Sequence, residues 1–270
     1  MVFKSKCINI RKNILIQLGT LGVGHIGGSL SMVELLAVLY GKHMRVDPKN
    51  PKKEGRDRLI VSKGHSGPAV YGVLCEMGYF PKSWLETLNK PGTNLPSHCD
   101  MNLTPGVDMT TGSLGQGFSC AVGAALASKL KKDGAYIYSV VGDGESQEGQ
   151  IWEAAMFAAH HKLNNLIAFT DNNKLQLDGK TEDICGINPL DEKWKSFGFN
   201  VITVENGHDC QEIDDAITIA KQSDKPSMII LNTIKGYGLK FAQDAGISNH
   251  SMSITQEMFE EGLKELEEKF

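Results

Sequence analysis

A chain of 270 residues with 41% hydrophobic and 22% charged residues is long enough to bury one substantial core, which excludes disordered and collagen-like classes. The formal net charge of -4, with Lys and Arg spread along the chain, leaves no basic footprint for nucleic acid. The N-terminal stretch MVFKSKCINIRKNILIQLGTLG breaks its apolar pattern with Asn, Arg and Lys, and no apolar run reaches spanning length, so a cytoplasmic protein without nucleic-acid or membrane partners is expected.

Apolar residues at helical spacing predict helices over 10–18, 32–40 and 69–77, with a short β-rich run at 59–61 between the last two. The Gly- and Pro-rich stretch 89–117 reads as a long functional loop running into a helix over 114–130. A buried strand at 136–141, a turn at 142–149, a helix at 151–161 and a strand at 166–170 make a βαβ unit, and further strands follow at 201–204 and 227–233. The last helix is expected to start at Ser253, which has capping-box spacing to Gln256, and to carry an apolar stripe of Met258, Phe259, Leu263, Leu266 and Phe270. Strands alternating with helices predict an α/β fold with a mainly parallel central sheet and helices on both faces. With no proline-rich linker, residues 1–270 are expected to form one domain ending in that helix.

Two polar clusters close successive strands of the βαβ unit. Asp143 sits between Gly142 and Gly144, and Asp171, Asn172 and Asn173 end the next apolar run. A right-handed crossover puts both clusters at the carboxyl edge of the sheet, where open α/β sheets bind ligands. A carboxylate, an amide oxygen and a backbone carbonyl are hard donors suited to Mg²⁺, the glycines admit a diphosphate, and the helix starting near Gly149 adds its positive end. The segment fails as a P-loop, because Gln150 and Ile151 follow Gly149, and as an EF-hand, because Gln176 stands where glycine is required. Cys7, Cys75, Cys99, Cys120, Cys185 and Cys210 form no C-x-x-C pair, so reduced and mostly buried thiols are expected.

GDG followed about thirty residues later by NN resembles the thiamine diphosphate motif, and "GVGHIGGSLS", "VSKGH", "GVDMTTGSLGQGFSCAVGAALA", "GDGESQEGQIWEAA" and "DNNKLQLDG" are similar to transketolase segments in the family's order. The resemblance covers about residues 10–250. It implies a thiamine diphosphate-binding domain of the diphosphate type, in which Asp143, Asn173 and the carbonyl of Leu175 bind Mg²⁺ (or Ca²⁺ or Mn²⁺), while Gly142 and Gly144 approach the diphosphate. His65 and His250 match histidines at the diphosphate end, and Gly112 with Leu114 match the loop beside the aminopyrimidine. His25 and His98 match histidines that bind donor hydroxyls and pass protons, a catalytic role shared with His250. Glu148 and Glu153 match acidic residues of a carboxylate network that couples paired active sites and touches the catalytic and cofactor machinery. Ile26 and Cys99 stand where many transketolases have proline.

Whole transketolases continue into a pyrimidine-binding domain whose glutamate activates the cofactor. The chain stops shortly after His250, so it is expected to be the N-terminal half of a split transketolase, transferring a two-carbon ketol unit between sugar phosphates only with a separate C-terminal subunit, two copies of each. The readings left beside it are a catalytically silent cofactor-binding module and the α subunit of a 2-oxo acid dehydrogenase; the related deoxyxylulose phosphate synthase, normally one long chain, is disfavoured by the length.

Overall fold

Five parallel strands organise the chain. The structure is a computed structural model and describes residues 2–268. In chain order its elements are α1 (Val2–Leu21), β1 (Val23–Gly24), α2 (Gly27–Leu30), α3 (Val33–Val38), β2 (Arg58–Val61), α4 (Gly67–Glu76) and α5 (Gln116–Lys131). Then come β3 (Ile137–Gly142), α6 (Gly149–His160), β4 (Leu166–Asn172), α7 (Thr181–Cys185), α8 (Leu190–Ser196), β5 (Asn200–Val204) and α9 (Cys210–Ala220). The chain closes through β6 (Ser227–Asn232), α10 (Lys240–Asp244), β7 (Met252–Ser253) and α11 (Gln256–Glu268).

The central sheet runs β2-β3-β4-β6-β5, every pairing parallel. Alternate side chains of each strand go to opposite faces, and each face is covered. Tyr138, Val140, Ile167, Phe169, Ile229 and Leu231 join one apolar cluster with α1, α3, α4 and α9. Ile137, Val141, Leu166, Ala168, Met228 and Ile230 join the other with α5, α6 and α8, around the fully buried Trp194. This is the expected two-faced α/β architecture, and a parallel sheet buried on both sides explains why its strands read as nearly continuous apolar runs. Among the described residues no helix is long and apolar enough to cross a membrane.

The carboxyl-terminal end departs from expectation. Ser253 does not cap the last helix: it pairs with Val23 in a two-residue antiparallel ladder, and the N–H of Ile254 donates to the Gly22 carbonyl at 2.8 Å. That pairing holds the backbone extended through Ser253, so α11 starts at Gln256, and Thr255 Oγ1 accepts the N–H of Met258 at 3.2 Å. Met258, Phe259 and Leu263 pack against the core and Leu266 is fully buried, whereas Phe270 lies outside the described residues. The six thiols are all free, but Cys120 and Cys185 are exposed, so the expected burial holds for Cys7, Cys75 and Cys99, with Cys210 half-buried.

Candidate functional site

The carboxyl ends of four adjacent strands, β2, β3, β4 and β6, deliver side chains to one cavity of about 240 Å³. Strand register makes the two polar clusters neighbours: Gly142 is opposite Asp171, and the N–H of Asp143 donates to the Asp171 carbonyl at 3.3 Å. Asp143 is buried, its Oδ1 accepting from the Gly144 N–H at 2.7 Å and its Oδ2 from the Lys174 N–H. Lys174 reaches that position by adopting φ +63, a conformation unusual outside glycine. Asn173 Oδ1 accepts from the Leu175 N–H at 3.1 Å. Gly144 is required by contact with the same loop, because a Cβ there would lie 2.6 Å from Gln176 Cβ.

Opposite this wall stand the four expected imidazoles. The β1–β7 ladder places His25 just after one strand and His250 just before the other, with ring centroids 5.4 Å apart. His65 follows the end of β2 in a single tight turn, 5.5 Å from His25 and 4.9 Å from His250. His98 comes from the long loop before α5, 5.7 Å from His25, and its carbonyl accepts from the Tyr71 hydroxyl at 3.3 Å. Ile26 and Cys99, which follow His25 and His98, are buried at 0% and 3% exposure and pin the two loops from below. The same long loop adds Gly112 and Leu114 to the lining.

All four imidazoles are held below the ordinary histidine range, chiefly by burial. Lys235 and His25 add to the effect at His250, which is lowered to about 4. They are neutral donors and acceptors near neutral pH, able to bind hydroxyls and move protons.

Four buried charged residues that motif reasoning did not assign a role complete the floor. Asp171 accepts from Ser31 Oγ at 2.5 Å, Lys63 Nζ at 2.5 Å, Asn173 Nδ2 at 3.2 Å and the Thr233 hydroxyl. Burial pushes its carboxyl up, but the Lys63 ammonium and these hydrogen bonds outweigh that and hold it below the usual range. Glu145, raised by burial, accepts from Ser62 Oγ at 2.5 Å and from the N–H groups of Gly115 at 2.8 Å and Gly142 at 3.0 Å. Lys235, lowered to about 8 by burial and by Lys63, donates to the Leu175 carbonyl at 3.5 Å and lies 3.3 Å from His250 Nδ1. The signal for Lys63 was its place beside His65 in VSKGH; Lys235 follows the strand that ends at Asn232, at the same sheet edge.

Two expected residues lie elsewhere. Glu148, at the N-cap of α6, and Glu153, in that helix, are exposed and do not line the cavity.

The donor set suits a hard divalent cation beside a diphosphate. Asp143 makes no ion pair among the described residues, and burial, followed by the charge of Asp171, pushes it up to about 7. A buried carboxylate that lacks a cationic partner is the condition a bound cation relieves. No three His, Cys, Asp or Glu side chains converge on a metal position among the described residues, as expected of a set with one carboxylate, one amide and one carbonyl.

The family model described as "Transketolase, thiamine diphosphate binding domain" matches residues 4–265. A 6-deoxy-6-sulfo-D-fructose transketolase subunit from Clostridium sp. strain MSTE9 is 55% identical over 261 residues, covering 96% of this chain and 94% of the relative. One of the subunits of an apulose-4-phosphate transketolase from Actinobacillus succinogenes is 40% identical, covering 98% and 95%. The crystal structure of transketolase from Campylobacter jejuni superposes with a TM-score of 0.90 at 31% identity, covering 99% of this chain and 42% of that one. These matches set aside the 2-oxo acid dehydrogenase reading, and the chain belongs to the thiamine diphosphate-binding domain family of the transketolases.

Proposed function

We propose that this chain is the diphosphate-binding subunit of a two-chain transketolase whose ketol donor is a sulfonated ketose. The observation that carries the ketol-transfer reading is the opposition, across one cavity, of four neutral imidazoles and the Asp143–Asn173–Leu175 oxygen set. Asp143, Asn173 and the Leu175 carbonyl would hold Mg²⁺, with Ca²⁺ or Mn²⁺ as substitutes of the same hard-donor preference. Gly142 and Gly144 leave room for the diphosphate, and His65, His250 and Lys235 face it with N–H donors. Gly112 and Leu114 border the aminopyrimidine. Bound there, thiamine diphosphate supplies the carbon nucleophile for ketol transfer. His25 and His98, farther along the cavity, orient donor hydroxyls and hold or move their protons at the imidazole nitrogens.

The need for a second chain is supported by the relatives. Two proteins named as transketolase subunits match this chain along nearly all their length. Exposed apolar side chains lie at the cavity and in its loop, Leu177 on the cavity lining at 59% exposure and Met101 and Leu103 in the His98 loop, and Met156 and Phe157 in the second half of α6 are exposed as well. A partner bringing a pyrimidine-binding domain would cover these surfaces, with two copies of each chain and with Glu148 and Glu153 at the contact between paired sites. The free thiols agree with a cytoplasmic enzyme.

The sulfonated donor rests on the 55% identity to the sulfofructose transketolase relative. Steady-state assays of the chain with its partner, Mg²⁺ and thiamine diphosphate test it. A kcat/KM at least tenfold higher for 6-deoxy-6-sulfo-D-fructose than for D-fructose 6-phosphate is expected, and equal or reversed values would reject the donor assignment while leaving ketol transfer in place.

A further inference from the structure

A second cavity, of about 320 Å³, opens away from the cofactor site between α1 and the start of α9, and Cys7 and Cys210 both line it. These two cysteines, 203 residues apart in sequence, bring their Sγ atoms within 3.8 Å. No other pair of thiols is in contact among the described residues. Their surroundings differ. Cys7 is 5% exposed and packs from α1 into the core, whereas Cys210 is half-buried as the first residue of α9. Asp209 caps that helix, accepting the N–H groups of Gln211 at 2.7 Å and Glu212 at 3.2 Å.

We propose that Cys7 and Cys210 are a modification site, a thiol pair that peroxide converts reversibly to a disulfide joining α1 to α9. The sulfurs are in non-bonded contact, and closing by less than about 2 Å reaches the bond length of about 2.05 Å. Both α1 and α9 pack against α3, which brings the two thiols together.

The order of events follows from access and ionisation. A hydrogen bond from the Cys7 thiol holds Cys210 below the ordinary thiol range, while the same contact and burial push Cys7 up. Cys210 is thus the more readily ionised of the two, and once ionised it presents its thiolate to the cavity through which a small oxidant enters. Its sulfur attacks one oxygen of hydrogen peroxide, the O–O bond breaks, and Cys210 sulfenic acid and hydroxide form. The Cys7 sulfur then attacks the sulfenyl sulfur, the S–O bond breaks, and the Cys7 proton leaves with the departing hydroxyl as water. Two electrons pass from the thiol pair to the peroxide, which is reduced to two waters in all. A dithiol reductant reverses the bond by exchange.

Mass spectrometry of unreduced peptides from the full chain, oxidised with hydrogen peroxide and then alkylated, tests the proposal. The expected product is a peptide pair linked through Cys7 and Cys210, lighter by two hydrogens, with alkylation at both positions lost and then restored by dithiothreitol. Cys7→Ser should lose the link and leave a Cys210 sulfenic acid that dimedone traps. Cys210→Ser should leave Cys7 an alkylatable thiol. The exposed Cys120 and Cys185 are internal controls for reactivity set by exposure alone. Oxidation confined to those two, or a sulfinic acid at Cys210 of the unsubstituted chain with Cys7 still alkylated, would overturn the proposal. The mapping of the unsubstituted chain decides the matter even where a serine variant does not fold.

Discussion

Asp171 ties the cavity together through single side-chain contacts to three other segments, at Ser31, Lys63 and Thr233, and to Asn173 in its own loop. Lys63 and Asp171 are each 2% exposed, so removing one leaves the other as an uncompensated buried charge. Asp171→Ala should lower the unfolding free energy by about 3–5 kcal/mol, measured by urea titration, and a loss under about 1 kcal/mol would contradict this role. Asn173→Ala acts on binding instead. It should weaken Mg²⁺-dependent thiamine diphosphate binding, read by calorimetry, by at least the roughly 10- to 100-fold typical of changes around a metal. The imidazoles give a pH dependence of defined sign. His25, His65, His98 and His250 all have folded pKa values below the unfolded value of about 6.5, so the unfolded chain takes up protons first. Their contribution to stability is complete above about pH 6.5 and falls as pH drops from there toward about 4, the value for His250. Imidazole nitrogen NMR titration should place all four rings below the ordinary value of about 6.5, with His250 near 4, and a ring titrating above 6.5 would contradict the burial argument. Asp143 and Asn173 were legible from sequence because each directly follows or ends a strand in a distinctive cluster. The partnership of Lys63 with Asp171 was not, since 108 residues separate them and only the folded sheet edge joins them.

At the level of elements, most expected helices and strands were legible to within a few residues, α4 covering 67–76 against an expected 69–77 and β5 200–204 against 201–204, whereas α1 starts at Val2, well before the expected 10–18. The order of strands was not. β6 inserts between β4 and β5, so the last strand of the central sheet becomes the neighbour of the strand that precedes Asn173 and carries Lys235 to the cavity. Periodicity reports which faces are apolar and carries no information about which strand lies beside which. The end of the chain shows local and tertiary signals in conflict: Ser253 has good capping-box spacing, but strand pairing with Val23 claims its backbone. Thr255→Ala should therefore cost about 0.5–2 kcal/mol by loss of the α11 cap, with Ser253→Ala near neutral in the same thermal melts. The reverse ranking would restore the sequence-based assignment. Gly64 tests how closely the His65 turn and the Gly112 loop are packed. A Cβ at this position would lie 2.7 Å from the backbone of Thr111 and Gly112, so Gly64→Ala should cost about 1–3 kcal/mol and weaken cofactor binding together. Unchanged binding in a destabilised variant would separate the two loops from the site.

Across the whole molecule, one sheet edge gathers the side chains proposed to hold the diphosphate end of the cofactor, and Glu148, Glu153, Met156, Phe157 and Leu177 are exposed, open to the further chains that the two-chain proposal requires. The thiamine diphosphate fold was legible because its motifs occur in order along most of the chain; the donor sugar was not, since none of those motifs distinguishes a phosphate from a sulfonate on the sugar. The most direct measurement is ketol transfer with this chain alone, the partner alone and the two mixed, at saturating Mg²⁺ and thiamine diphosphate. Turnover is predicted in the mixture, with none above background in either chain by itself. Turnover by this chain alone, or a mixture that assembles and binds cofactor yet transfers no ketol unit, would contradict the two-chain reading.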